Sequence, residues 1–277
     1  ALCLRERVRL IADEGGKLRP AEPWLSTATR SVRVRIDALG DQRGEVTLKA
    51  GNAAPVSTRL HTQPSLHIFS GNDAHAVLHA LDRGAESDNG PARLVILCRD
   101  ETLDDQIARA TDALNQRLVS GKAEAQTPQQ LGKGIYWASA PVEGEIGFVF
   151  TGAAAAYAGM GRDLMLTLPE TGEAVVEKFP CLERTQHWLE SERHPSTTDP
   201  FQILQGCSLI SQIHGIISQK WLGIKPDAVL GVSSGETNSV FATGAWRDMD
   251  VMFSEMDTQG MYTREVAGDY DTARRAW

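Results

Sequence analysis

Residues 227–236, Asp-Ala-Val-Leu-Gly-Val-Ser-Ser-Gly-Glu, constrain this chain more than any other stretch, because a short apolar run breaks into Gly-x-Ser-x-Gly and then into small polar residues. That order predicts a buried strand, a sharp turn and a helix, with Ser233 raised on the turn between glycines too small to cover its hydroxyl. A helix starting beneath the turn leaves its first N–H groups unpaired. The N–H of Ser234 is then placed where the helix dipole favours an oxyanion. Ser233 is the candidate nucleophile, set against the plain alternative of an ordinary strand-to-helix turn.

A second segment has related organisation. Residues 148–164, Phe-Val-Phe-Thr-Gly-Ala-Ala-Ala-Ala-Tyr-Ala-Gly-Met-Gly-Arg-Asp-Leu, form a strand pattern that ends in small residues and runs into an amphipathic stretch. Together with Ser233, Ser234, Glu236 and the approach Leu222-Gly223-Ile224-Lys225-Pro226-Asp227, this segment resembles the malonyl-CoA:acyl-carrier-protein acyltransferase family over about residues 146 to 250. In that family a Phe-Pro-Gly-Gln-Gly loop with Gly-Met-Gly follows the first strand, and the nucleophile lies in Gly-His-Ser-x-Gly-Glu. Here Val232 replaces the His, Thr151 replaces Pro, and Ala153 and Ala156 stand where Gln is usual. These departures, with Ala245 to Asp250, look most like the acyltransferase regions of iterative polyunsaturated-fatty-acid-type polyketide synthases.

The resemblance implies a ping-pong acyl transfer from malonyl-CoA through an acyl-Ser233 to the phosphopantetheine of an acyl carrier protein. It implies that the backbone N–H of Ala153 joins that of Ser234 in the oxyanion hole, with Gly152 and Gln205 among the substrate contacts. It further implies an Arg for the malonyl carboxylate, since a guanidinium pairs bidentately with one. Arg264 is the first candidate and Arg247 the second, a surface ion pair being the alternative for both. No bound cofactor or metal is implied. A serine hydrolase or thioesterase is the rival enzyme reading, and a non-catalytic scaffold the rival outside enzymes.

A serine also needs a base. No His follows Ser233, and 44 residues remain after it, whereas in the resembled family the catalytic His lies roughly a hundred residues further on. The expectation is a piece of a larger synthase, cut within its acyltransferase and inactive alone. His214, nineteen residues before Ser233, is the one nearby alternative base, a helix-packing position being the plainer role.

Length and composition fit a globular chain of two domains: 277 residues, 42% hydrophobic and 23% charged. Of the net charge of −8, residues 146–277 hold −7, with 10 Lys+Arg against 17 Asp+Glu. No basic stripe exists to displace counterions from nucleic acid. No apolar run reaches the ~18 residues that cross a bilayer. Cys3, Cys98, Cys181 and Cys207 are widely spaced, which reads as reduced thiols in a cytoplasmic protein.

Residues 1–133 are expected to form a separate small α/β domain and 134–277 the truncated α/β-hydrolase-like core. Ser31–Asp37 and Glu45–Lys49 alternate apolar and polar residues across Gly40–Gly44, a hairpin pattern. Strands at 66–70 and 93–97 alternate with helices at 73–81 and 102–118, an α/β arrangement. His67, His75 and His79 include an i, i+4 pair without a third ligand, so packing roles are expected for them. Gly121–Gly134 is the expected exposed connection. Ile210, Ile213, Ile217 and Trp221 predict one apolar helix face. By position the first domain resembles the linker after a ketosynthase, which implies an adjacent ketosynthase and a homodimer formed through the parent synthase.

Overall fold

The computed structural model describes residues 8–9, 17, 22–37, 43–51, 65–98, 102–124, 127–185 and 199–277. They fall into two compact units, residues 61–144 and residues 1–60 together with 145–277. In chain order the elements used below begin with the strands β1 (Ser31–Asp37), β2 (Arg43–Lys49) and β3 (Ser65–Gly71), the helix α1 (Ala74–Asp82), the strand β4 (Ala92–Cys98) and the helix α2 (Leu103–Val119). The strands β5 (Gln129–Gly132), β6 (Ile135–Ala138) and β7 (Gly147–Phe150) follow, then the helices α3 (Arg162–Thr167), α4 (Pro169–Lys178) and α5 (Pro200–Ile216). Last come β8 (Ala228–Gly231), α6 (Ser234–Ala242) and α7 (Met249–Thr258).

The smaller unit is a four-stranded antiparallel sheet in the order β3-β4-β6-β5, with α1 and α2 packed on it. Alternation in β4 buries Ala92, Leu94, Ile96 and Cys98 against Val77, Leu81, Ala110 and Leu114 of the helices. Both helices start where their caps dictate: Asp73 accepts from the Ala76 N–H at 2.8 Å, and Thr102 from the Asp105 N–H at 3.2 Å. The expected strands and helices are present, but the strands pair antiparallel. Helix-strand alternation alone does not decide strand direction. His67 is held by Glu86 at 2.8 Å and Ser65 at 3.0 Å.

The connection expected over Gly121–Gly134 is replaced in part by structure. Residues 129–132 form the edge strand β5, and the Trp137 ring N–H donates to the Ala123 carbonyl at 2.8 Å in the core. Residues 133 and 134, where a domain boundary was expected, form the turn of the β5–β6 hairpin; the compact units part instead at 60/61 and 144/145. The short polar residues of this stretch follow a sheet edge, which composition does not distinguish from a linker.

In the larger unit β1 and β2 form the expected hairpin, Ser31 facing Lys49 and Asp37 facing Arg43; Gly40 lies outside the described residues. The unit's core gathers around α5, which touches α4, α6 and the turn Pro180–Thr185. Leu204, Cys207, Leu209, Ile210 and Ile213 are all buried, so α5 is enclosed rather than one-faced. Trp221, expected on its apolar face, is 46% exposed because the helix ends in a wider turn at Ile217–Trp221. Phe179 and Phe241 pack edge to face at 5.7 Å across this core.

Strands β7 and β8 run parallel, Gly147 beside Ala228 through Phe150 beside Gly231. The side chain and backbone N–H of Asp227 clasp residue 146 on the other strand: Oδ2 accepts from the Ile146 N–H at 2.8 Å, and the Asp227 N–H donates to the Ile146 carbonyl at 2.8 Å. The strand leading to Ser233 is not buried as expected, for Val229 is 38% and Leu230 62% exposed. Among the described residues the sheet has only two strands, and α6 packs against both.

Trp137 is 1% exposed and supplies both bulk and a hydrogen bond to the smaller unit. Trp137→Ala should therefore lower the unit's stability by about 3–5 kcal/mol in urea unfolding followed by circular dichroism. A change below about 1 kcal/mol would show that this core does not depend on it.

Candidate active site

At the end of β8 the chain makes the turn that the serine motif predicts. Ser233 has φ 57° and ψ −131°, and with Tyr270 it is one of two non-glycine residues at positive φ among the described residues. Such a conformation costs a side-chain-bearing residue about 1–3 kcal/mol and persists only where the surroundings impose it. The surroundings here are backbone. A Cβ on Gly231 would strike the Glu236 nitrogen, and one on Gly235 would strike the Phe150 carbonyl oxygen at the end of β7. The first turn of α6 is thus laid directly over the ends of both strands, and the glycines do more than keep the serine uncovered.

Ser233 is exposed, and its hydroxyl does not cap α6 although it occupies the cap position. The turn is closed by backbone instead, with Gly235 N–H donating to the Val232 carbonyl and Glu236 N–H to the Ser233 carbonyl, both at 3.0 Å. Ser234 is the first helical residue, so its N–H has no partner within the helix. The loop after β7 lies against the turn. A Cβ on Gly152 would come within 3.1 Å of the Ser233 Cβ, so glycine lets this loop approach the candidate nucleophile.

Ala153 follows Gly152 and its N–H reaches the turn, but it donates to the Ser234 hydroxyl at 3.0 Å. The expected pair of oxyanion donors, Ser234 and Ala153, is therefore brought together with one donor already engaged. An incoming oxyanion competes with a neutral hydroxyl for that N–H, and a charged acceptor makes the stronger bond.

Ser233 and Ser234 open on a cavity of about 190 Å³. Leu204 and Ser208 of α5, Met252, Phe253 and Met256 of α7, Thr237 of α6 and Tyr262 complete its lining. Sequence reasoning missed these residues. Their spacings (204/208 and 252/256) do place each pair on one helix face, but no local signal says that these faces meet at Ser233.

Several expected contributors lie elsewhere. Arg264 is exposed and bent over Gly260, its guanidinium donating to the Gln259 carbonyl at 3.2 Å, so it finishes the end of α7 and does not line the cavity. Arg247 is exposed in the segment before α7 and is near enough to Lys178 to lower that amine's pKa, after burial and Lys220. Gln205 is half-buried on α5 beside the lining residue Leu204 without lining the cavity itself. His214 lines a different cavity of about 590 Å³, formed with Thr151, Tyr157, Gly161, Cys207 and Ser211. Partial burial holds the His214 pKa below the usual imidazole value. No His, Asp or Glu lines the Ser233 cavity among the described residues.

The nearby thiols are kept protonated by the fold. Burial raises the Cys207 pKa to about 11, and its Sγ lies 3.9 Å from the Ala153 carbonyl. Burial and then Asp250 raise the Cys181 pKa further. Asp250 also accepts from the Cys181 backbone N–H at 2.6 Å, tying α7 to the Pro180–Thr185 turn. Among the described residues no group of three His, Cys, Asp or Glu is arranged to hold a metal, and no helix is long and apolar enough to cross a membrane.

A strand–turn–helix thus raises a strained serine beside an N–H-bearing loop, the geometry of a nucleophile elbow. No protein-family model matches the chain. Its sequence is 24% identical over 200 residues to the reducing polyketide synthase AFT16-1 of Alternaria alternata, covering 69% of this chain and 7% of that protein. It is 35% identical over 113 residues to the highly reducing polyketide synthase cla2 of Cladosporium cladosporioides, covering 39% of this chain and 5% of that protein. It is 29% identical over 109 residues to the pikromycin polyketide synthase component PikAIII of Streptomyces venezuelae, covering 37% of this chain and 7% of that protein. The chain is therefore related to a segment of polyketide synthases, and it spans less than a tenth of the length of each of these three. Among solved structures, the acyltransferase domain of an iterative polyketide synthase of enediyne biosynthesis superposes with a TM-score of 0.41 at 19% identity, over 69% of this chain and 44% of that one.

Two outcomes test this geometry. Gly235→Ala should destabilise the larger unit and abolish labelling of Ser233 by a fluorophosphonate, since a methyl group cannot share space with the Phe150 carbonyl; unchanged melting and labelling would refute the backbone packing. The thiol of Cys207 should alkylate with iodoacetamide at pH 8 about a hundredfold more slowly than in the unfolded chain, because only thiolate reacts. With its folded pKa raised to about 11 by burial, the thiol leaves stability unchanged below about pH 8.5 and lowers it as pH climbs from there towards 11. Equal alkylation rates in the folded and unfolded chain would contradict it.

Proposed function

We propose that this chain is the acyltransferase segment of a polyketide synthase and carries the acyl group on Ser233. The observation that carries the reading is the Ser233 turn itself: a strained, uncapped, exposed serine held over two strand ends, with Gly152 and Ala153 against it. Relatedness to polyketide synthases narrows the chemistry from serine nucleophiles in general to acyl thioesters.

In this mechanism the Ser233 oxygen attacks the carbonyl carbon of an acyl-CoA thioester. The C–O bond forms, the C–S bond breaks, and the serine proton ends on the released coenzyme A thiol. The Ser234 N–H faces the developing oxyanion, and the Ala153 N–H joins it by exchanging the Ser234 hydroxyl for the charged oxygen. The phosphopantetheine thiol of an acyl carrier protein then takes the acyl group by the reverse steps. The reaction belongs in the cytoplasm beside a ketosynthase that consumes the loaded carrier, within a dimeric parent synthase. The general base is a group outside the lining of the Ser233 cavity described above.

The test is transfer of a radiolabelled acyl group. The chain is incubated with acyl-CoA, digested, and the peptide bearing Ser233 is examined by mass spectrometry, with a carrier protein added in a second arm. Acyl-Ser233 that is discharged to the carrier supports the proposal. Label on Ser234, label that survives Ser233→Ala, or release as free acid with no transfer to carrier would overturn it. A serine site working without a positioned base is slower by about three to six powers of ten, so loading is followed from minutes to hours.

A further inference from the structure

Three of the ten basic residues in 146–277 gather at one place, in a stretch whose net charge is −7. Lys178, the last residue of α4, and Lys220, in the wide turn that ends α5, line one half-open cavity of about 370 Å³. Arg247, between α6 and α7, is close enough for its charge to act on Lys178. Among the described residues none of the three is in an ion pair. The acids nearest Arg247 in sequence are engaged elsewhere: Asp248 caps α7 by accepting from the Val251 N–H at 3.1 Å, and Asp250 accepts from the Cys181 N–H at 2.6 Å. Lys178 leans on an aromatic ring instead, its Nζ 4.6 Å from the centroid of Phe179. Burial, then Lys220 and then Arg247 lower its pKa, so the ammonium stands there at a cost. One cation at a helix C-terminus is an ordinary arrangement. Three that repel one another call for an opposing charge. The amide nitrogens of Gln212 and Gln219, on the same wall, already donate to the Asn238, Gly215 and Ala242 carbonyls, which leaves the lysines as the free donors.

We propose that the cavity between Lys178 and Lys220 is a binding site for a small organic phosphomonoester. Charge selects the ligand. Glu177 is the one carboxylate on the wall among the described residues, so Lys178, Lys220 and Arg247 together keep an excess of two positive charges. A phosphomonoester brings about −1.5 to −2 at neutral pH, whereas a single carboxylate brings half of that. Ammonium groups bind phosphate as point charges and need no planar partner. Size agrees: about 370 Å³ holds about a dozen units of the ~30 Å³ that a water occupies, room for a phosphate and a small organic remainder. Ala242, the last residue of α6, lines this cavity, whereas Ser233 precedes the first. The 9 residues of α6 at ~1.5 Å each set the two sites about 13 Å apart. The phosphate site is therefore separate from the serine, and the inference assigns no step to Ser233.

The experiment titrates the chain with inorganic phosphate, glycerol 3-phosphate and glycerol at constant ionic strength, read by calorimetry and by thermal melting. Both phosphates are expected to bind competitively with Kd on the order of 1 mM or tighter, and glycerol not at all. Lys178→Gln combined with Lys220→Gln should weaken phosphate binding about tenfold or more with unchanged circular dichroism. Lys122→Gln, which removes a charge in the smaller unit, should leave binding as it was. Absence of phosphate binding, or equal weakening by Lys122→Gln, would overturn the site. Binding of inorganic phosphate without glycerol 3-phosphate would overturn the organic ligand. A second readout follows Lys178 itself by carbon NMR of the labelled side chain: its pKa should rise in saturating phosphate, because an anion favours the ammonium. A Lys178 titration that phosphate leaves unmoved would also refute the assignment.

Discussion

Backbone contact between the first turn of α6 and the ends of β7 and β8 is the constraint on which the site depends. With no side chain at 231 or 235, the Glu236 nitrogen lies over Gly231 and the Phe150 carbonyl over Gly235. That proximity leaves Ser233 no ordinary backbone conformation to adopt, and its positive φ follows. The strain is held by contacts on both sides of the serine, so the hydroxyl is aimed by the sheet and helix rather than by a hydrogen bond of its own. The corollary is a helix start without a side-chain cap: the Val232 and Ser233 carbonyls take the Gly235 and Glu236 N–H groups, and the Ser234 N–H has no partner within the helix.

The second dependence is the loop after β7. It approaches the turn because residue 152 is glycine, and the parallel pairing of β7 with β8 brings the two strand ends level. Asp227 fixes that register from the opposite end of the strands through its two bonds to residue 146. The Ser234 hydroxyl then occupies the Ala153 N–H. A neutral oxygen thus holds the Ala153 N–H, the donor that the proposed acyl transfer would turn to an oxyanion. The donor is kept oriented, and a charged acceptor displaces a neutral one at little cost in geometry.

Around this frame the larger unit is organised by α5, a helix buried on several sides. It contributes Leu204 and Ser208 to the Ser233 cavity and Cys207 and His214 to the separate cavity lined by Thr151. Two adjacent spaces with different linings thus share one helix. The first touches the serine and is lined by hydroxyls together with apolar side chains of α5 and α7, whereas the second is larger, includes Asp163 and His214, and does not touch the serine. This separation is why His214, near in sequence terms and titratable, does not line the serine's cavity.

The sequence by itself determined the local events. Gly-x-Ser-x-Gly after an apolar run dictated the strand, the turn and the helix start, because each depends on residues within one short segment. The caps at Asp73 and Thr102, the β1–β2 hairpin and the strands at 65–71 and 92–98 were readable for the same reason. Only the tertiary structure decided what required distant residues to meet. The sheet of the smaller unit is antiparallel, the stretch before Trp137 is a sheet edge, and the units divide away from residue 133, none of which a local pattern encodes. Arg264 had the right chemistry for a carboxylate, yet the end of α7 offers its guanidinium a carbonyl closer at hand. The wall around Ser233 is assembled from residues of three helices and Tyr262. Spacing shows which residues share a helix face, and only packing shows which faces meet.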